Sequence, residues 1–450
     1  MSEFRFISRH AGTVLVGQLA VMAFGVTDTI VAGRYSESAL AALSVGTAIF
    51  LSVFVALMGV LQALLPVWAE LHGAKRFAEV GRSWRQALYL GAITMVLGMA
   101  VLASPGPLLR WADVPEALQG EVTRYLEVLA LAFPPALFFR MYSTLNQSLG
   151  RPLLVTWLQI GSLAVKVPLS IWFTFGGLGL PASGAVGCAW ATLIVNYLML
   201  AVALWMLRTR PLYRPYDIWK RMERPDWPRI REFARLGIPG GLAILVEVTS
   251  FTLMSLFIAR QGVTASASHQ VASNLAAVLY MMPLSMGIAT SARVSFWLGA
   301  GNAAMARAAI RTGFKMVWLA SAFLAGGTFF GREGIASIYS TNPAVVALAS
   351  GLLAWVALYH LADATQALCV FLLRSYRVTI APLVVYCVLL WGMGLAGGYV
   401  LSYRGIGSTA AQPTPATFWA ASAVALFITA AVFVALLWRA VQQGRPAPPA

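Results

Sequence analysis

Of sixteen Asp and Glu residues in 450, only Asp28, Glu247 and Asp363 lie well inside apolar stretches. An ionisable group at the centre of a membrane helix costs roughly 3 kcal/mol or more to insert. Three such groups therefore point to chemistry. A carboxylate withdrawn from water favours its neutral form, so it can exchange a proton against a cationic ligand, or bind a cation directly. The alternative is a structural acid satisfied by backbone or side-chain donors. Glu247 is twelve residues past Arg235, about 18 Å in at the helical rise. Asp363 is eleven residues before Arg374, about 16 Å in. Matched depth points to one shared site. Asp28 lies about 10 Å nearer the opposite side.

Other side chains fit around these acids. Lys166 is fifteen residues beyond Arg151, about 22 Å in. It can reach the depth of Asp28 and pair with it, snorkel towards an aqueous cavity, or act as a ligand site by itself. His360 precedes Asp363 by three residues on one helix face, as a proton relay or a hydrogen-bonded structural histidine. Tyr280, Met281, Met282 and Met286 suit either the binding of varied greasy cations or plain helix packing. Gln18, Gln270 and Asn274 line a cavity or glue helices together.

The elements that must position these groups are membrane helices. The chain is 59% hydrophobic and 11% charged, with mean hydropathy +0.76. That composition excludes a soluble globule. About 20 apolar residues cross a bilayer. On that rule twelve spans run from Gly12–Ala32 to Thr417–Leu437, the third at Ala87–Leu108. The first span is long and holds Asp28, so it reads as a signal anchor and not a cleaved leader. The net charge of +16 does not imply nucleic acid, because the basic residues mark alternate loops. One set runs from Arg5 and Arg9 through Arg140 and Arg151 to Arg374, Arg439 and Arg445. The opposite set holds little beyond Arg34, Arg110, Arg124, Arg260, Arg332 and Arg404. The positive-inside rule places the first set, and both termini, in the cytoplasm. Cys188, Cys369 and Cys387 form no CxxC pair, so neither a disulfide framework nor a metal site is expected.

Residues 208–235 form a basic connector, read as a solvated cytoplasmic linker with interfacial Trp anchors. It separates two six-helix bundles, 1–207 and 236–450. A shift of 226 residues pairs Arg34 with Arg260, Gly73 with Gly299 and Arg85 with Arg311. Six spans per half make the repeats parallel, with substrate sites near the midplane. The fold class is thus all-α integral membrane, twelve transmembrane helices in two six-helix bundles. No GxxxxGK[ST], HExxH or GxSxG occurs, so neither an ATP motor nor an enzyme is expected.

Three stretches carry a family resemblance: GQLAVMAFGVTDTIVAGRYS with Asp28, IPGGLAILVEVTSF with Glu247, and LADATQALCVFLLRSYR with Asp363. NQSLGRP, HGAKR and LGAGN also fit. Over nearly its whole length the chain resembles the multidrug and toxic compound extrusion (MATE) transporters, in their NorM-like branch. The resemblance implies two bundles around a V-shaped cavity and export of cationic, amphipathic drugs in exchange for Na+ or H+. It implies coupling-cation sites at Glu247 and Asp363 in the second bundle, the Na+ ligands if sodium couples, and at Asp28 in the first. No other cofactor is expected. The expected setting is the cell's inner membrane, with the chain working as a monomer on small cationic drug-like substrates. One departure stands out. Where the family pattern in the fifth helix is Asn-x-Pro-x-Asn, this chain reads Lys166-Val-Pro-Leu-Ser170. A flippase for lipid-linked oligosaccharides shares the architecture, but its polyanionic cargo calls for several buried cations. One deep lysine against three deep acids favours cationic cargo. A non-transporting scaffold or receptor leaves three costly acids without purpose.

Overall fold

The protein is described by a computed structural model, over residues 2–111, 114–177, 179–405 and 410–444. Arg445 of the expected cytoplasmic set lies outside the described residues. Among the described residues, twelve helices are long and apolar enough to cross a membrane. They are α1 (Glu3–Tyr35), α2 (Glu37–Gly73), α3 (Phe77–Ala103), α4 (Glu116–Ser148), α5 (Leu153–Phe175) and α6 (Gly184–Thr209). Then come α7 (Trp227–Ala259), α8 (Val263–Gly299), α9 (Ala303–Tyr339), α10 (Pro343–Ser375), α11 (Ile380–Tyr403) and α12 (Pro415–Gln443).

Most helices outrun their apolar stretch, so several basic residues expected in loops lie inside helices, Arg85, Arg140 and Arg293 among them. The third span outruns its stretch at the start but falls short at its C-terminal end. It ends at Ala103 and not at Leu108, because Pro105 has no N–H to donate and turns Ser104 out of the helix. Ser36 caps α2 by accepting from the Ala39 amide, and Asn342 caps α10 by accepting from Ala344. Within α2 the helical hydrogen bonding is interrupted at Ala63–Leu64, just before Pro66. Residues Cys387–Ala396 of α11 wind as a π-helix.

Two compact units result: an N-terminal unit, Thr13–Gly241, and a C-terminal unit, Met1–Gly12 with Leu242–Ala450. These bounds differ from 207 and 235, for reasons visible in the contacts. The first turns of α1 belong to the C-terminal unit, where Arg293 donates two hydrogen bonds to Glu3 (2.7 and 2.8 Å) and Ile7 is fully buried. The connector belongs to the N-terminal unit and is not freely solvated. Arg85 donates to the Asp217 carbonyl (2.6 Å) and to Glu223 (2.7 Å). Gln86 and Tyr89 donate to the carbonyls of Arg224 and Glu223, and Tyr213 donates to Asn146. The reason is polar matching: donors on α3 and an acceptor on α4 find partners on the connector.

The sequence repeat reappears as a repeated turn. Lys75 (φ 58°) and Gly301 (φ 70°) are left-handed, 226 residues apart. In both turns the next residue's amide reaches back to a helical carbonyl, Arg76 to Leu71 (3.0 Å) and Asn302 to Trp297 (2.9 Å). That is the Schellman closure of a helix end. Gly150 (φ 68°) and Arg377 (φ 65°), 227 residues apart, are a second left-handed pair one residue off that shift. Each unit is centred on one helix. In the N-terminal unit α4 packs on α2, α3 and α6; in the C-terminal unit α10 packs on α8, α9 and α12. Close approach uses glycine, as expected where lipid supplies no hydrophobic drive. A Cβ on Gly187 of α6 would lie 2.5 Å from the Phe173 backbone of α5.

Candidate functional site

In the C-terminal unit, α7 carries Glu247 while α10 carries Asp363 and, one turn on, Gln366. Asp363 and Gln366 share a face because residues three apart are helical neighbours. The Gln366 amide donates to Asp363 Oδ1 (2.9 Å) and towards Glu247 Oε1 (3.4 Å). One neutral group thus draws the two acids together. Tyr386 of α11 donates to the Gln366 carbonyl and holds the amide in this orientation. The π-helical turn that follows places the Trp391 indole N–H 3.2 Å from the carbonyl of Val246, the residue before Glu247. Around this centre, Tyr280 and Tyr359 lie within electrostatic range of both carboxylates. Arg374 is buried, in electrostatic range of Glu247, with its guanidinium 5.1 Å from the Phe371 ring.

The other expected residues are placed as follows. His360 is buried, and neither ring nitrogen has a hydrogen-bond partner among the described residues. Met282 is buried and Met281 half-buried. Gln270 and Asn274 are exposed and bonded to each other (3.1 Å). A cavity of about 20 Å³ is lined by Phe251, Tyr359, Trp419 and Met254, and by none of the residues expected to line the substrate cavity. It has room for one water and not for a drug-sized ligand. Among the described residues, no three His, Cys, Asp or Glu side chains converge as a metal cluster.

Asp28 belongs to the N-terminal unit and has a different surrounding. Lys166 Nζ lies 2.9 Å from Asp28 Oδ1, and Ser170 donates to the same oxygen (3.0 Å). Of the three roles open to Lys166 from the sequence, the one observed is the ion pair with Asp28.

Sequence reasoning missed Gln366, Tyr386, the Thr192 hydroxyl that accepts from Lys166 (2.7 Å) and the burial of Arg374. Gln366 had a signal, its three-residue spacing from Asp363. Arg374 read only as a topology mark. The charge count also changes: Arg140 is buried, its Nε without a partner among the described residues, so Lys166 is not the only buried cation within a helix.

Two segments, residues 14–172 and 239–400, match the family model MatE. This chain belongs to the MatE family. The match takes in Asp28, Glu247 and Asp363. A "Probable multidrug resistance protein NorM" of Aromatoleum aromaticum is 37% identical over 428 residues, covering 95% of this chain and 92% of the relative. A "Multidrug resistance protein MdtK" of Pectobacterium atrosepticum is 33% identical, covering 96% and 95%. Among solved structures, the eukaryotic MATE transporter AtDTX14 superposes with TM-score 0.87 at 18% identity, covering 98% of both chains. The Vibrio cholerae MATE transporter VcmN in its bent form gives 0.83 at 17%, with the same coverage. At those identities the structures show a shared fold. The family read from the three acid-bearing stretches is the family found, and the twelve-helix MATE fold agrees.

Proposed function

We propose that this MatE-family chain is a multidrug efflux antiporter that exports cationic, amphipathic compounds in exchange for Na+ or H+. Its relatives' names, multidrug resistance proteins, support the cargo class. The observation that carries the coupling is the convergence of Glu247 and Asp363 on the single amide of Gln366. Two carboxylates taken out of water and met by a neutral donor need a proton or a cation to offset their charge. Loading that site with a coupling ion and emptying it on the other side is the exchange. Tyr280, Met281 and Met282 offer aromatic and adaptable contacts to a greasy cation. The work is done by a monomer in the inner membrane, alternating access, with both termini and the connector cytoplasmic.

The test is transport of a fluorescent cation in proteoliposomes, with sodium and pH gradients imposed separately. One gradient drives uptake or release of the dye on this account. Dye movement indifferent to both gradients, with movement of a lipid-linked saccharide instead, would replace the antiporter with a flippase.

A further inference from the structure

The Lys166 ammonium is enclosed by oxygen. Its three protons match three acceptors: Asp28 Oδ1 at 2.9 Å, the Cys188 carbonyl at 2.9 Å and Thr192 Oγ1 at 2.7 Å. The side chain has no exposure to solvent, and Asp28 is also buried. The acceptors come from two other helices, α1 and α6, and their placement is built in. Gly187 brings the α6 backbone against α5, and the next residue, Cys188, presents its carbonyl to the lysine. Thr192, one turn on, donates its own proton to that same carbonyl and so keeps a lone pair for the ammonium. Ser170, one turn beyond Lys166, fixes the carboxylate. One carboxylate, one carbonyl and one hydroxyl are the oxygen set that holds a hard monovalent cation.

We propose that Lys166 is a resident cation: a tethered ammonium that permanently fills a monovalent-cation site in the N-terminal unit. The cage is charge-balanced and all three ammonium protons are bonded, so it takes up no exchangeable ion, and Asp28 serves structure. Ion exchange is then confined to Glu247 and Asp363. This deepens the antiporter reading by assigning its coupling to one half. Its test reads cation binding and not transport, so failure of either idea is told apart.

Removing the ammonium while keeping the stem uncovers the site. The background is the purified full chain carrying Glu247→Gln and Asp363→Asn, which silences the other acids. Thermal unfolding in detergent is followed against ammonium chloride and sodium chloride, with choline chloride at equal ionic strength as control. In the background alone, neither salt shifts Tm beyond the choline control. Adding Lys166→Met lowers Tm and opens a net-negative cage. Ammonium then raises Tm saturably, on the order of 5 °C at saturation. Adding Asp28→Asn as well abolishes that response. A saturable ammonium or sodium shift in the background, lost on Asp28→Asn, overturns the proposal, because the cage then exchanges ions with Lys166 in place. A folded Lys166→Met variant blind to ammonium overturns it too. If Lys166→Met does not fold, the background titration still decides.

Discussion

Asp28 in the N-terminal unit meets an ammonium at 2.9 Å, whereas Glu247 and Asp363 in the C-terminal unit meet a neutral amide. Both surroundings satisfy a carboxylate through hydrogen bonds, but only in the first is a cation in direct contact with the acid; Arg374 stands only in electrostatic range of Glu247. An acid with its own cation is complete and expensive to disturb. Two acids sharing an amide are bonded but not charge-balanced, which is the condition for reversible loading. The halves repeat their turns and their central helices, α4 and α10, so the difference lies in a few side chains and not in architecture. A lysine on α5 has closed one site, and a glutamine on α10 has organised the other.

Breaking the acid pair has the largest expected effect. Glu247→Gln and Asp363→Asn each remove a carboxylate from the shared centre, and each abolishes gradient-driven export while leaving folded protein in the membrane. Dye efflux together with the amount of monodisperse purified protein checks this. Full export by both variants would remove the centre from the mechanism.

Breaking the ion pair should cost stability first. Lys166→Met or Asp28→Asn alone strands a buried charge, at about 3–5 kcal/mol. The double change strands none and recovers most of the loss. Thermal stability of the four proteins forms a double-mutant cycle. Additive losses would mean that the two groups do not interact.

Gln366→Leu sharpens the comparison. It keeps both acids and deletes their common donor; a hydrogen bond to a charged group contributes about 1.5–3 kcal/mol. The apparent affinity for the coupling ion should change by roughly tenfold or more, with cargo range unaltered. An ion dependence identical to wild type would show that the amide is incidental.

The smallest effect is in the connector, outside the membrane. Burial pushes the Glu223 carboxyl up, but Arg85 and Arg82 outweigh it and hold it below its ordinary 4.5. A depressed acid contributes stability that is present above its ordinary value and lost as pH falls through the lowered one. Docking of residues 217–226 should therefore be unchanged from neutral pH to about 5 and loosen below 4.5. Amide exchange of that segment reads it, and Glu223→Gln should remove the pH step.

The helices, and the meeting of Glu247 with Asp363, were legible because hydropathy and the helical rise are local properties of the chain. The kinship was legible too, since the acid-bearing stretches are contiguous. What stayed hidden was lateral. Nothing in the spacing of Cys188 and Thr192 says that α6 turns their oxygens towards Lys166, because that depends on the close approach at Gly187. Tyr386 is twenty residues from Gln366 and gave no sign of bonding it. The docked connector was read as solvated because its anchors are mostly carbonyls, which every sequence has.

The central claim is that one half exchanges ions and the other is sealed by its own lysine. Its most direct test is dye transport in proteoliposomes under an imposed coupling-ion gradient, comparing two neutralised proteins. One carries Glu247→Gln with Asp363→Asn, the other Asp28→Asn with Lys166→Met. The account predicts that the first no longer responds to the gradient, while the second, whatever its rate, still transports in proportion to it. A gradient response lost from the second protein and kept in the first would contradict it.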